Sequence, residues 1–319
     1  MVAGIEAALI LLKQTENDPR ARGGAAVFLS VDHRPASLLQ SFMAEQAASG
    51  KGTYESLESG GFEAKFDEKD AVGWALSLRA WWRRCMDKHA FRPPSSEPEN
   101  VGRNDFRVAL LGDWGTGLYG APVCSSSIRK TKYDVLLHLG DDYYAGTEPE
   151  VEGRFLKVWP DVSGAISRAI NSNHEMYSGG NAYFRQTLAA FHQSSSLFAL
   201  RSNHWLLIGL DSAYEGNDRS GGRLSDMQIG WVTTLVNDAV ANGQRVILFS
   251  HHQPFSLYDN QGSVLATCIE GVLNSRRVFA WYWGHEHRCV IFERHPQWQL
   301  FGRCIGHSGF PYFRDIFPG

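Results

Sequence analysis

An α/β fold is what the sequence predicts, and three observations carry it. Short apolar runs of strand length recur after residue 105, helical stretches separate them, and the runs end in Gly, Asp and His. The 319 residues, 43% hydrophobic and 12% aromatic, are enough for a sizeable core. Ten Trp, 18 Phe and 11 Tyr beside nearly balanced charges exclude a disordered chain. A formal net charge of −3 leaves no basic excess to displace phosphate counterions, which argues against a nucleic-acid partner. No apolar run approaches the roughly 20 residues of a spanning helix. The first 14 residues carry an apolar patch interrupted by Glu6, without the basic start and cleavage site of a signal peptide. Cys85, Cys124, Cys268, Cys289 and Cys304 are scattered and form no CxxC pair, so they read as buried small hydrophobes of a reducing compartment. The expectation is a soluble, cytoplasmic protein with no membrane partner.

In chain order, residues 1–92 read as a mainly helical extension of unknown role. Asp70 is placed to cap a helix on which Trp74, Leu78, Trp81 or Trp82, and Cys85 recur on one face, with Arg79, Arg83, Arg84 and Lys88 on its solvated side. Residues 15–69 resolve into no element. Residues 93–104 read as a linker, because Pro93, Pro94, Pro98 and their polar neighbours block both helix and sheet ladder. From 105 to 319 a single α/β domain is expected. Its strands are residues 106–111, 133–139, 245–249 and 278–283, and residues 225–241 form a helix with Trp231, Leu235 and Ala239 on one face.

The chemistry sits where these strands end. The first runs into Gly112-Asp-Trp-Gly115, the second into Gly140-Asp-Asp-Tyr-Tyr144, the third into Ser250-His-His-Gln-Pro254 and the fourth into Gly284-His-Glu-His287. In open α/β sheets ligands collect outside the carboxyl ends of the strands. A lone Asp after Gly is a turn residue. Four such endings at one sheet edge would bury charge without a partner, and a metal supplies that partner. Carboxylate, imidazole and amide donors with no suitably spaced thiolate suit Mn, Fe or Zn in a catalytic role. Two His at alternate positions beyond a strand leave on the same face, so His285 and His287 can reach one centre.

Gly112-Asp113, Gly140-Asp141, Asn173-His174-Glu175, His252-Gln-Pro254 and Gly284-His285-Glu-His287 follow one another in the order seen in the calcineurin-like metallophosphoesterases. Over residues 106–310 the chain resembles that family, and its first two motifs resemble the purple acid phosphatases. The resemblance implies a four-layer α/β/β/α sandwich and a dinuclear centre of divalent or trivalent transition metals, iron with manganese, zinc or a second iron. One metal would be held by Asp113, Asp141, Tyr144 and His287, the other by Asp141, Asn173, His252 and His285, with Asp141 bridging. Two departures stand out. Gly115 replaces the His of most members, a gap that Tyr144 fills in the purple-type pattern. Ser172 stands where Gly normally precedes Asn-His, a change expected to strain or re-aim the Asn173 turn.

The remaining histidines divide by context. His251, adjacent to His252, should face away from it if the strand persists, and reads as packing behind the site or as a substrate contact. By the resemblance His174 touches the substrate phosphate together with Asn173 and protonates the leaving oxygen. Glu175 either orients His174 or caps the next segment. His307 either lines the pocket or is a turn residue. His33, His89, His138, His192, His204 and His295 have no motif around them and read as structural. The implied reaction is hydrolysis of a small phosphate ester, a monoester before a diester, by a hydroxide held between the metals. No Ser or Cys sits in an activating motif, so no covalent phosphoenzyme is expected. The competing readings are a phosphodiesterase acting on a cyclic nucleotide or other small diester, and a metal-binding scaffold without turnover.

Overall fold

The computed structural model describes residues 87–117, 120–216, 221–258 and 264–309, together with Arg34, Ser37, Leu38, Ser41 and two short strands. Those strands, β1 (Tyr54–Ser56) and β2 (Phe62–Ala64), pair antiparallel. The helix expected from Asp70 to Cys85 lies outside the described residues.

The next strand is β3 (Glu99–Asn100), inside the segment expected to be a linker. It pairs in parallel with β7 (Phe198–Arg201) at a sheet edge. Pro98 precedes the pair, and Glu99 and Asn100 keep the amide donors that proline lacks, so the ladder forms where the prolines stop.

Two sheets form the centre. Strands β4 (Val108–Leu111), β5 (Val135–His138) and β6 (Ile166–Ala169) form an all-parallel sheet in the order β4-β5-β6. The second sheet contains β8 (Trp205–Gly209), β9 (Arg245–Ser250), β10 (Val278–Trp283), β11 (Cys289–Arg294) and β12 (Phe301–Ile305), in the order β11-β12-β10-β9-β8-β7-β3. Within it β8, β9, β10 and β12 run parallel, while the β7-β8 and β11-β12 pairs are antiparallel.

The two sheets bury a shared core. Val135 and Leu137 of β5 meet Phe198 and Leu200 of β7, Leu207 of β8 and Phe249 of β9. On the outer face of the large sheet lie α3 (Asp226–Ala241), α4 (Val264–Cys268) and α5 (Glu270–Asn274), with Val232, Leu235, Val236 and Ala239 packed against Ile208, Val246 and Leu248. The small sheet is covered by α1 (Gly120–Arg129) and the helical turns around Phe155 and Tyr183, which enclose Leu136, Trp159 and Phe184. The layers are therefore α/β/β/α.

Local chemistry sets the ends. Ser225 caps α3, its hydroxyl accepting from the Gln228 amide at 3.3 Å. Both faces of β5 are buried, which is why it reads as a continuous apolar run. Cys124, Cys268, Cys289 and Cys304 are free thiols, and only Cys304 of these is buried, with Cys289 exposed on β11. Among the described residues no helix is long and apolar enough to cross a membrane.

Candidate metal centre

Asp113 leaves β4, Asp141 leaves β5, His251 and His252 leave β9, and His285 and His287 leave β10, all at one edge of the paired sheets. Four of these residues hold left-handed backbone: Asp113 at φ 55°, Asp141 at 79°, His285 at 68° and His287 at 48°. Each such residue costs about 1–3 kcal/mol, and strain of this kind persists where the surroundings over-determine it. Because β10 ends at Trp283, these turns aim His285 and His287, in place of the strand alternation expected from their spacing. Gly140, at φ 100°, has no room for a side chain: a Cβ there would lie 2.6 Å from His251 Nδ1.

Asp141 sits at the middle. Its Oδ1 accepts the Ser172 hydroxyl at 2.6 Å and lies 3.2 Å from His251 Nε2. Its Oδ2 is 2.6 Å from the Tyr143 hydroxyl, 3.9 Å from His287 Nε2 and 4.0 Å from His174 Nε2. Asp113 Oδ1 is 3.4 Å from His287 Nε2, and its Oδ2 accepts the His285 amide at 3.0 Å. Burial and the neighbouring Asp141 push the Asp113 carboxyl well above its ordinary range. Burial also opposes ionisation of Asp141, but the His251 and His174 imidazoles outweigh it and hold that carboxyl well below.

The donor set fits a cation. The Leu139 carbonyl can only accept, so His251 Nδ1, 2.8 Å away, carries the proton and Nε2 presents its lone pair. That lone pair faces Asp141 Oδ1 and, at 2.8 Å, Asn173 Oδ1, two further acceptors, with His285 Nδ1 beside them at 3.1 Å. Burial pushes the His251 pKa down to about 4, so a second ring proton does not relieve the contact near neutrality. A metal ion does. Donor atoms of Asp113, Asp141 and His251 lie within 4.8 Å of one another, as do those of His251, His252 and His285. The two triads meet at His251, whose Nε2 offers one lone pair and so can serve one ion. A neutral imidazole anchored through Nδ1–H to a carbonyl is also how protein metal ligands are oriented.

Several positions differ from the motif reading. The tyrosine hydroxyl at the centre belongs to Tyr143, which is 2.6 Å from Asp141, 2.8 Å from His287 Nε2 and 3.2 Å from Asp113 Oδ1. Tyr144 is turned otherwise: its amide donates to Glu150 at 2.7 Å and the Arg154 guanidinium covers its ring at 4.7 Å. Adjacent residues in a turn leave in different directions, and the buried Glu150 carboxylate fixes this one by also accepting the Ala145 and Thr147 amides. Likewise β9 ends at Ser250, so no strand alternation separates His251 from His252, and His251 enters the cluster. His252 remains beside it, Nδ1 2.9 Å from the Ser212 hydroxyl and its ring 4.7 Å from that of His285.

The Asn-His-Glu motif forms the short helix α2 (Asn173–Met176). Ser172 introduces no strain: its backbone is extended, at φ −130°. Its hydroxyl joins Asp141 to Glu175, so Glu175 acts on Ser172 and not on His174. Burial, reinforced by Asp141, raises the Glu175 pKa to about 8. His174 is buried between the Tyr143 and Tyr177 rings, and its Nδ1 donates to the Tyr144 carbonyl at 2.6 Å. His307 is exposed on the turn after β12, while Ser308 beside it braces the Gly112 loop. At Gly115 a Cβ would lie 2.0 Å from Asp142 Oδ1, so the space a histidine would need is occupied. Tyr143, Glu150 and Ser212 were missed by the motifs, although Thr147-x-x-Glu150 carries the capping-box signature that the structure realises.

The sequence model describing the calcineurin-like phosphoesterases matches residues 106–289. Among solved structures, a dimetal phosphatase from Danio rerio is similar at 16% identity and TM-score 0.50, covering 65% of this chain and 89% of its own. GAP50, the anchor in the inner membrane complex of Plasmodium, aligns at 14% identity and TM-score 0.49, over 64% of this chain and 72% of its own. No curated protein matches the sequence. With the family model spanning more than half of the chain and the sandwich present, the protein belongs to the calcineurin-like phosphoesterase family and is a metal-dependent hydrolase of phosphoric esters.

Proposed function

We propose that the protein is a dinuclear phosphomonoesterase acting on small phosphate esters. The observation that carries this reading is Asp141, buried with Oδ1 3.2 Å from His251 Nε2 and Oδ2 3.9 Å from His287 Nε2, so that its two oxygens face imidazoles on opposite sides. Asp113, Asp141, His287 and Tyr143 would hold one metal, and Asp141, Asn173, His285 and the His251–His252 pair the other. The phenolate oxygen of Tyr143 suits a trivalent iron, a hard cation, and manganese, zinc or a second iron suits the imidazole-rich side. Bound there, the cations supply positive charge for the phosphoryl oxygens and acidify water.

The chain's own groups do the rest. His174 is steered by its Nδ1–H bond to the Tyr144 carbonyl, which leaves Nε2 free to hold a proton for the departing oxygen. The Ser172–Glu175 link fixes the Asp141 carboxylate from behind, so that Asp141 would present a set direction to the ions it holds. Within residues 1–92, the described side chains of Leu38 and Ser41 touch the hydrolase domain. Leu38 packs on Ala145 and Tyr177, and Ser41 donates to Glu150 at 2.9 Å.

Hydrolysis of 4-nitrophenyl phosphate and of bis(4-nitrophenyl) phosphate by the metal-loaded protein tests the proposal. Turnover of the first, abolished by chelation and restored by iron with zinc or manganese, supports it. A clear preference for the diester would make the protein a phosphodiesterase, and no turnover of either would favour the scaffold reading.

A further inference from the structure

Arg34, Ser37, Leu38 and Ser41 are helical and stand three and four residues apart, so they share one face of a helix. That face lies outside residues 106–289, the stretch that the family shares. It lies against the two turns that support the metal centre. Arg34 Nε donates to the Tyr177 carbonyl at 3.0 Å, and the buried Leu38 packs on Ala145 and Tyr177. The Ser41 hydroxyl donates to Glu150 at 2.9 Å, the carboxylate that accepts the Tyr144, Ala145 and Thr147 amides. Tyr177 follows Asn173 by one helical turn, its amide donating to the Asn173 carbonyl at 2.9 Å at the end of α2. Its hydroxyl accepts Asn173 Nδ2 at 2.9 Å, while Asn173 Oδ1 lies 2.8 Å from His251 Nε2.

We propose that Tyr177 is a positioning residue for the imidazole-rich metal position, and that the helix face bearing Leu38 holds it in place. The proposal rests on the dinuclear reading above. An asparagine side chain offers a cation only Oδ1, because Nδ2 carries two protons and only donates. The amide therefore has to present Oδ1 to the cluster, as it does here, and the Tyr177 hydroxyl secures the other end by accepting from Nδ2. The spacing of four residues along α2 brings that hydroxyl to the same helix face as Asn173. The Tyr177 ring is fixed on two sides, by the His174 ring at 4.9 Å between centroids and by Leu38. Truncating Leu38 opens space beside the ring, into which the ring can shift. A shift of about 1 Å breaks a hydrogen bond of 2.9 Å, so the amide orientation depends on that packing. Bonds that orient a metal ligand from behind change metal affinity by about 10- to 100-fold.

The test reads metal binding apart from turnover. Zinc is titrated against a competing chelator into the full chain freed of metal, and the step that His285→Ala abolishes marks the imidazole-rich position. Tyr177→Phe keeps the ring beside His174 and should weaken that step by about 10- to 100-fold, with the other step unchanged. Leu38→Ala should weaken the same step by a smaller factor, whereas Leu38→Met, which keeps the volume, should retain it. The double variant of Leu38→Ala with Tyr177→Phe should bind no more weakly than Tyr177→Phe alone, because the packing acts through the hydroxyl. Tyr133→Phe removes another buried hydroxyl, bonded to the Pro160 carbonyl at the end of β5 opposite Asp141, and should leave both steps as they are. An unaltered affinity in Tyr177→Phe, or an equal loss at both steps, would overturn the assignment of Tyr177 and leave the dinuclear reading standing. Additive losses in the double variant would overturn the link to Leu38. No zinc bound by the unaltered protein would overturn both the inference and the dinuclear reading.

Discussion

Replacing Tyr143 by Phe deletes a single oxygen from the centre and leaves the ring that packs on His174. That oxygen lies 2.6 Å from Asp141 Oδ2 and 2.8 Å from His287 Nε2, so its loss strips one partner from the Asp141 carboxylate and one from an imidazole. A hydrogen bond to a charged group is worth about 1.5–3 kcal/mol, and 1.4 kcal/mol is a factor of ten. If the hydroxyl only braces Asp141, metal affinity falls roughly 10- to 100-fold, as for other groups that orient ligands. If it is itself a ligand, the loss is larger and confined to one of two metals. Chelator-competition titrations of Tyr143→Phe and Tyr144→Phe, with circular dichroism to establish folding, separate the two tyrosines. Tyr143→Phe should bind one metal more weakly by at least about tenfold. Tyr144→Phe keeps the main-chain bonds to Glu150 and His174 and the ring beneath Arg154, so its loss should be smaller. The reverse order, with Tyr144→Phe losing metal and Tyr143→Phe retaining it, would refute the placement of Tyr143.

Other consequences can be checked in parallel. His174→Ala should keep both metals by elemental analysis and lose about 10²–10⁴-fold in kcat, the range for a positioned acid; full activity would remove His174 from that role. His251→Ala and His252→Ala should each weaken the imidazole-rich metal position and leave the one beside Asp113 and His287 filled; retention of both metals by His251→Ala would leave His252 as the ligand. His138, buried among Trp114, Phe155 and Trp159, has its pKa pushed down to about 3 by burial, partly opposed by Asp141. Its unfolded form takes up a proton below about pH 6.5 while its folded form stays neutral, so stability is lost as pH falls through that window. His138→Phe should therefore recover about 2 kcal/mol relative to the unaltered protein on going from pH 7 to pH 5, measured by denaturant unfolding of the metal-free forms. An unchanged difference would mean that His138 is already charged when folded.

Much of the catalytic half was legible because it obeys local rules. The β10 run and the α3 helix were found nearly to the residue, since one is a continuous apolar stretch and the other combines a serine cap with a helical apolar stripe. That Asp113, Asp141, His285 and His287 would lie at one sheet edge was legible because strand ends bounded by glycine gather polar residues there. The choice between neighbours was not legible. Tyr143 against Tyr144, and His251 against His252, depend on where a strand stops and which way a turn leaves it, and tertiary contacts such as Glu150 with the Tyr144 amide decide that. Strand β3 was hidden because a proline-rich segment reads as linker until an edge strand offers it a partner. The contacts of Arg34 with Tyr177 and of Lys88 with Tyr214 could not be seen at all, because each spans more than a hundred residues.

The most direct test is the metal content of the purified protein, by elemental analysis after incubation with iron, manganese and zinc, together with 4-nitrophenyl phosphate turnover of the same sample. About two transition-metal equivalents per chain, with activity that tracks the second equivalent, is the predicted result. One equivalent or none, with no metal-dependent turnover, would contradict a dinuclear phosphatase built on Asp141.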